Sequence, residues 1–105
     1  MAVLLVTTYQ VHAGGRQEFL KNLAELKKLA ERHGAKWRAW QSDLAGANAG
    51  RVSATTELDD YAAYARWRDA MAADSEYQAF LARFQANTDP PITIVSRASA
   101  TEVLL

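Results

Sequence analysis

The order in which β-like and helix-like segments alternate constrains this chain more than any single residue does. An apolar run rich in β-branched residues, Val3–Val11, passes through Gly14-Gly15 into a helical pattern over residues 16–33 that stops at Gly34. Two further β-like runs follow, residues 36–44 and 51–58, split by a glycine-bearing turn at 45–50. A second helical stretch covers residues 59–84, and a last β-like run, 92–105, closes the chain.

That order, β-α-β-β-α-β, is the ferredoxin-like one: an α+β fold in which a four-stranded antiparallel sheet carries its helices on one face. The 105 residues make one domain. Half of them are apolar, so a packed core is expected rather than disorder. Twelve basic and twelve acidic residues cancel, and both signs mix along the helical stretches. The basic face of a nucleic-acid binder is therefore not expected. The absence of cysteine removes disulfides, thiolate metal sites and cysteine nucleophiles together, and makes the cytoplasm the expected location. No run approaches the roughly 18–20 apolar residues of a membrane span, so no membrane partner is expected.

The first strand is apolar on both faces at its start, Val3-Leu4-Leu5-Val6, and alternates from Thr7 onward. A strand apolar on both sides is usually covered on both sides. In the first helix Phe19, Leu23, Leu26 and Ala30 form one apolar stripe, broadened by Leu20 and Leu29. Gly34 suits the left-handed position that ends a helix. On the third strand Val52, Ala54, Thr56 and Leu58 alternate with Arg51, Ser53, Thr55 and Glu57, a half-buried pattern. Trp37 and Trp40 fall on opposite faces of the second strand. Asp59 or Asp60 caps the next helix. Tyr61, Tyr64, Trp67 and Met71 share one arc of it, and Ala72-Ala73-Asp74-Ser75-Glu76 reads as a break with a fresh N-terminus. Tyr77, Phe80, Leu81 and Phe84 then stand at i, i+3, i+4 and i+7, and both phenylalanines are expected to be packing residues. The prolines Pro90-Pro91 end that helix. The face left bare would carry Leu4, Val6 and one tryptophan. A second copy packed sheet on sheet is the simplest cover, so the expected partner is the chain itself, as a homodimer. The last strand is longer than the sheet needs, and its tail is expected to reach the neighbouring subunit.

Three stretches carry a family resemblance. They are Thr8-Tyr9-Gln10-Val11-His12-Ala13-Gly14 leading into Gln17-Glu18-Phe19-Leu20, then Glu57-Leu58-Asp59-Asp60-Tyr61, then Asp74-Ser75-Glu76-Tyr77-Gln78-Ala79-Phe80. On these the chain resembles the dimeric α+β barrel superfamily and, within it, the NIPSNAP-like proteins, over nearly its whole length. The resemblance implies a homodimer whose two sheets form a barrel, with a pocket inside it or between sheet and helices. Members include cofactor-free monooxygenases of aromatic polyketides, haem-degrading monooxygenases, muconolactone isomerases, EthD-like proteins and many proteins without known activity. Haem-degrading members offer a histidine on the second helical region, where this chain has none and Phe80 is the nearest position. They and the cofactor-free oxygenases often place an asparagine on the first strand, where this chain has Thr8 and Gln10. No cofactor is therefore expected. The implied function is binding of a small aromatic or hydrophobic organic molecule in a barrel pocket, with no specific activity assigned. A cofactor-independent monooxygenase or isomerase of the antibiotic-biosynthesis-monooxygenase type is one alternative. A structural or assembly dimer with no pocket is the other, and pocket volume separates it from the first two.

Several residues are candidates for contact with such a ligand. His12 closes the first strand beside the glycine turn, where it is either a base at the pocket mouth or a plain strand end. His33 suits a helix C-terminus as a cation facing the dipole. Two isolated histidines do not make a metal ligand set. The stripe Arg51, Ser53, Thr55 and Glu57 shares a face with Arg38 or Gln41 and with Arg97. In a barrel it either converges on a cavity, with an arginine as a carboxylate or enolate clamp, or forms Arg–Glu pairs at the interface. The interior face is alternatively the apolar one. One of Trp37 and Trp40 turns away from the helices, and Trp40 is a candidate ligand contact. Tyr9, Tyr61, Tyr64, Trp67 and Arg68 form an aromatic group around an arginine expected to be buried, serving as core or as pocket wall. Gly14-Gly15 lacks the longer phosphate-binding fingerprint and reads as turn chemistry.

Overall fold

The computed structural model describes residues 1–43, 46 and 50–105 and realises the expected order with the second helical stretch split in two. The elements are β1 (Val3–Val11), α1 (Arg16–Arg32), β2 (Lys36–Gln41), β3 (Val52–Leu58), α2 (Tyr61–Ala73), α3 (Ser75–Ala86) and β4 (Ile92–Thr101). The strands form one antiparallel sheet in the order β2-β3-β1-β4. Each helical crossover therefore skips one strand, the ferredoxin-like arrangement. The expected turn at 45–50 lies largely outside the described residues, as does Leu44. Short of it, Ser42 N–H donates to the Arg51 carbonyl at 2.9 Å and Gly50 N–H to the Ser42 carbonyl at 2.7 Å.

The inner face of the sheet packs under the helices. Val3, Trp37, Val52, Ala54, Leu58 and Ile92 are buried there, and all but Val3 pack in one cluster with Phe19, Leu23 and Ala30 of α1. A second cluster, Leu29, Met71 and Phe80, joins the three helices to one another. The stripe of α1 is thus broadened by Leu29 and not by Leu20, which is 46% exposed on the helix's outer side. The end of α1 is as the sequence implies. Gly34 takes φ +96°, its N–H reaches the Glu31 carbonyl at 3.1 Å, and Ala35 N–H reaches Ala30 at 3.2 Å. This paired closure satisfies carbonyls that a helix end otherwise leaves free.

Asp60 is the cap of α2, accepting from Ala63 N–H at 2.7 Å. Asp74 separates α2 from α3. One oxygen accepts from Glu76 N–H at 2.9 Å and Tyr77 N–H at 3.4 Å, while the other meets His33 Nε2 at 2.7 Å and Arg32 at 3.2 Å. His33 therefore pins the end of α1 to the start of α3, more than a bare helix-dipole partner would. The His33 bond, helped by the two helix N–H groups and Arg32 against the opposing effect of burial, holds the Asp74 carboxyl below the ordinary carboxylate range. A depressed acid contributes stability above its unfolded-state pKa and loses it as pH falls through the folded value. The melting temperature of the wild type is expected to fall as pH drops below about 4. Asp74→Asn should melt lower near neutrality and show a shallower acid limb. An equally steep limb in the variant would remove Asp74 as its cause.

Two expectations about strand ends are corrected. The second strand stops at Gln41, and the last stops at Thr101 instead of running to 105. Thr101 is paired with Val3, where β1 begins, and one further bond, Glu102 N–H to the Ala2 carbonyl at 3.0 Å, closes the ladder. Val103, Leu104 and Leu105 are exposed there. The molecule is a slab of 39 × 38 × 17 Å, one sheet and one helical layer thick. Its outer sheet face presents Leu4, Val6, Arg38, Glu57 and Trp40, and Trp40 is 53% exposed while Trp37 lies in the core.

Candidate ligand-binding site

The helical layer does not fill the space above the sheet. A cavity of about 390 Å³ lies between the inner face of β1, β3 and β4 and the three helices. Its body is apolar and aromatic: Leu23 and Leu26 of α1, Tyr64 and Trp67 of α2, Phe80 and Phe84 of α3, with Ile92 and Ile94 of β4. Trp67 stacks on Tyr64 with centroids 6.3 Å apart, and its indole N–H donates to the Ala30 carbonyl at 3.2 Å. Tyr9 lies against Phe19, centroids 5.2 Å apart and rings tilted by 60°. These contacts fix the walls in place. The size and lining are those of small-molecule sites in general.

One end of the cavity is polar. Thr7 and Tyr9 of β1 and Arg97 of β4 share the inner face, and Tyr77 of α3 comes down beside them. Burial pushes the Tyr9 hydroxyl above the usual tyrosine range, and the Arg97 charge and a hydrogen bond with Thr7 pull it partly back. Arg97 is exposed, and no carboxylate pairs with it among the described residues.

The geometry separates the residues singled out from sequence. Tyr64, Trp67 and Arg97 line the cavity. Arg38, Trp40 and Ser53 lie on the outer sheet face. There Arg38 sits 6.0 Å from the Trp40 ring centre, Trp40 Nε1–H donates to Thr55 at 3.1 Å, and Ser53 bonds Thr8 at 3.1 Å. Arg38 and Trp40, with Leu4, Lys36, Thr55 and Glu57, rim a second, shallower hollow. Arg51 donates from Nε to Gln10 Oε1 at 3.1 Å, away from the cavity. His12 is also outside it. Its Nδ1–H donates to the Pro90 carbonyl at 2.8 Å, and Nε2 stands 2.6 Å from the Thr93 hydroxyl, so both ring nitrogens tie the end of β1 to the segment before β4.

Three groupings expected from the sequence are corrected here. Arg97 does not join the Arg51–Glu57 stripe but faces the helices. A bulge at Val95 is the reason: Ser96 pairs with Thr8 while Ile94 pairs with Tyr9, so one residue is left over and the alternation inverts beyond it. Gln41 lies on the inner-face register, opposite Val52, and accepts from Arg16 at 3.1 Å. Arg68 is exposed rather than buried, lying 5.7 Å from the Tyr64 ring centre, and Tyr61 is 60% exposed beside solvent. Both sit on the outer edge of the α2 arc. Tyr77 and Phe84 were legible only as helix packing. Their cavity role comes from where α3 packs over the sheet and not from any local signal.

The chain is thus a ferredoxin-like α+β domain with an apolar, one-end-polar cavity under its helices. The NIPSNAP family model matches residues 4–90, and the chain belongs to the NIPSNAP family. Among solved structures it is similar to an uncharacterised NIPSNAP domain protein from Burkholderia xenovorans. The identity is 29% with TM-score 0.71, over 100% of this chain and 95% of that one. It is similar to a NIPSNAP family protein from Agrobacterium tumefaciens at 20% identity and TM-score 0.65, over 95% and 90% of the two chains. It also shares its fold with SnoaB, a cofactor-independent oxygenase from Streptomyces nogalater, at 15% identity and TM-score 0.66, over 99% and 95%. No curated protein matches the sequence.

Proposed function

We propose that this NIPSNAP protein binds a small aromatic or hydrophobic organic molecule in the cavity between sheet and helices. The observation that carries the reading is the 390 Å³ of space walled by Tyr64, Trp67, Phe80, Phe84 and Ile94. An assembly role without a pocket has no use for that volume. The neutral probe N-phenyl-1-naphthylamine should bind with one site per chain and a rise in fluorescence. Ile94→Trp, which puts a larger ring into the cavity at a strand position that suits aromatics, should abolish that binding while the fold is kept. Unchanged binding by a folded Ile94→Trp would sink the reading.

The same reading includes a second copy on the outer sheet face and a cytoplasmic working place. The face carries Leu4, Val6 and the exposed Trp40, and a chain of net charge +0 meets its copy without repulsion. Sedimentation should return twice the 11.6 kDa of the chain. The fold shared with SnoaB favours a second reading, cofactor-independent oxidation of a bound quinol-type molecule. Oxygen uptake that depends on both protein and substrate would support it over simple binding.

A further inference from the structure

Arg97 is the one charged side chain among the described residues that line the cavity. Elsewhere two arginines pair with carboxylates, while Arg16 donates to Gln41 and Arg38 and Arg68 lie over aromatic rings. Arg32 is held by Asp74 and Glu76, and Arg83 by Glu25 at 2.6 Å. No aspartate or glutamate lines the cavity, so nothing in its walls balances Arg97. Thr7 pairs with Arg97 across the sheet and Tyr9 is near Arg97, Thr7 and Tyr77, and all three hydroxyls can donate to an oxygen anion. The bulge at Val95 is what turns Arg97 toward this side. Without it, the alternation begun at Ile92 and Ile94 would send residue 97 to the outer face.

We propose that the cavity's ligand is an aromatic monoanion, a carboxylate or acidic phenol, whose apolar body lies among Tyr64, Trp67 and Phe84 and whose charged oxygen is held by Arg97, Tyr9 and Tyr77. The proposal rests on the binding reading above and adds the charge of the ligand. A guanidinium meets a carboxylate with two parallel N–H groups, and the partly apolar surroundings strengthen that contact relative to open water. An anion is favoured over a neutral polar ligand because only an anion adds a charge-assisted contact to a guanidinium that otherwise meets water.

The test compares 2-naphthoate with its neutral isostere 2-naphthamide, by calorimetry on wild type, Arg97→Gln and Arg66→Gln. Arg66 is exposed on α2 and serves as a control for net charge. Wild type should bind the naphthoate at least ten-fold more tightly than the amide. Arg97→Gln should lose that ten-fold while its affinity for the amide stays within about two-fold, and Arg66→Gln should behave as wild type. Arg97 is exposed and has no carboxylate partner among the described residues, so its replacement should leave the melting temperature close to wild type, and that is measured alongside. Equal binding of acid and amide, insensitive to Arg97→Gln, would overturn the proposal and leave the binding reading standing. Binding of neither compound, together with failure of the neutral naphthylamine probe, would overturn both.

Discussion

Phe80→Ala is expected to destabilise the protein by about 3–5 kcal/mol, the cost of removing a buried aromatic ring and leaving its space empty. Phe80 is 6% exposed and packs with Leu29, which is fully enclosed, and with Met71. It thus ties α3 to both other helices while also lining the cavity. Phe84 has the same sequence pattern and a different fate. It is half-buried at the edge of the cavity, so Phe84→Ala should cost only about 1–2 kcal/mol and widen the cavity instead. Urea unfolding of the two variants would show the contrast. Equal losses would mean that Phe84 is as enclosed as Phe80 and that the cavity ends short of it.

A second large effect is expected at Gly15, where space and not backbone freedom is the constraint. Its φ of −91° is open to any residue. A Cβ built there would stand 2.7 Å from the Pro91 carbonyl oxygen and 2.9 Å from Pro91 Cα. That carbonyl already accepts from His12 N–H at 2.8 Å, and Pro91 is followed by Ile92 in the core. Backbone cannot rotate aside as a side chain can, so Gly15→Ala must push the start of β4 away from β1. The expected cost is about 3 kcal/mol, at the upper end for overpacking. Gly14 gives the control. It has φ +78° and open space around the missing Cβ, so Gly14→Ala should cost only the left-handed strain, about 1–2 kcal/mol. A Gly15→Ala variant no less stable than Gly14→Ala would show that the Pro91 contact relaxes freely.

The element order, the helix stop at Gly34, the break at Asp74 and the opposite facing of Trp37 and Trp40 were all legible in the chain. Each depends on local chemistry: a period of residues, a capping carboxylate, a glycine that takes a positive φ. The inner and outer faces of β3 could be read from alternation alone because that strand is regular from Val52 to Leu58. Half of the candidate site was legible for the same reason, since Tyr64 and Trp67 follow from the helical period of α2.

What the sequence could not determine was the side to which β4 turns its second half. Simple alternation from Ile92 puts Arg97 with Arg51, Ser53 and Glu57 on the outer face, and that was the expectation. The bulge at Val95 reverses it. A bulge is decided by how two strands pair across the sheet, and β1 and β4 are separated by nearly the whole chain, so no local pattern announces it. The end of β4 is settled in the same way, by where β1 begins and not by the β-forming residues that follow Thr101. The sequence by itself determined the fold and the apolar body of the cavity. Tertiary pairing alone decided that an arginine enters that cavity, because which face a side chain takes depends on register, and register belongs to two strands at once.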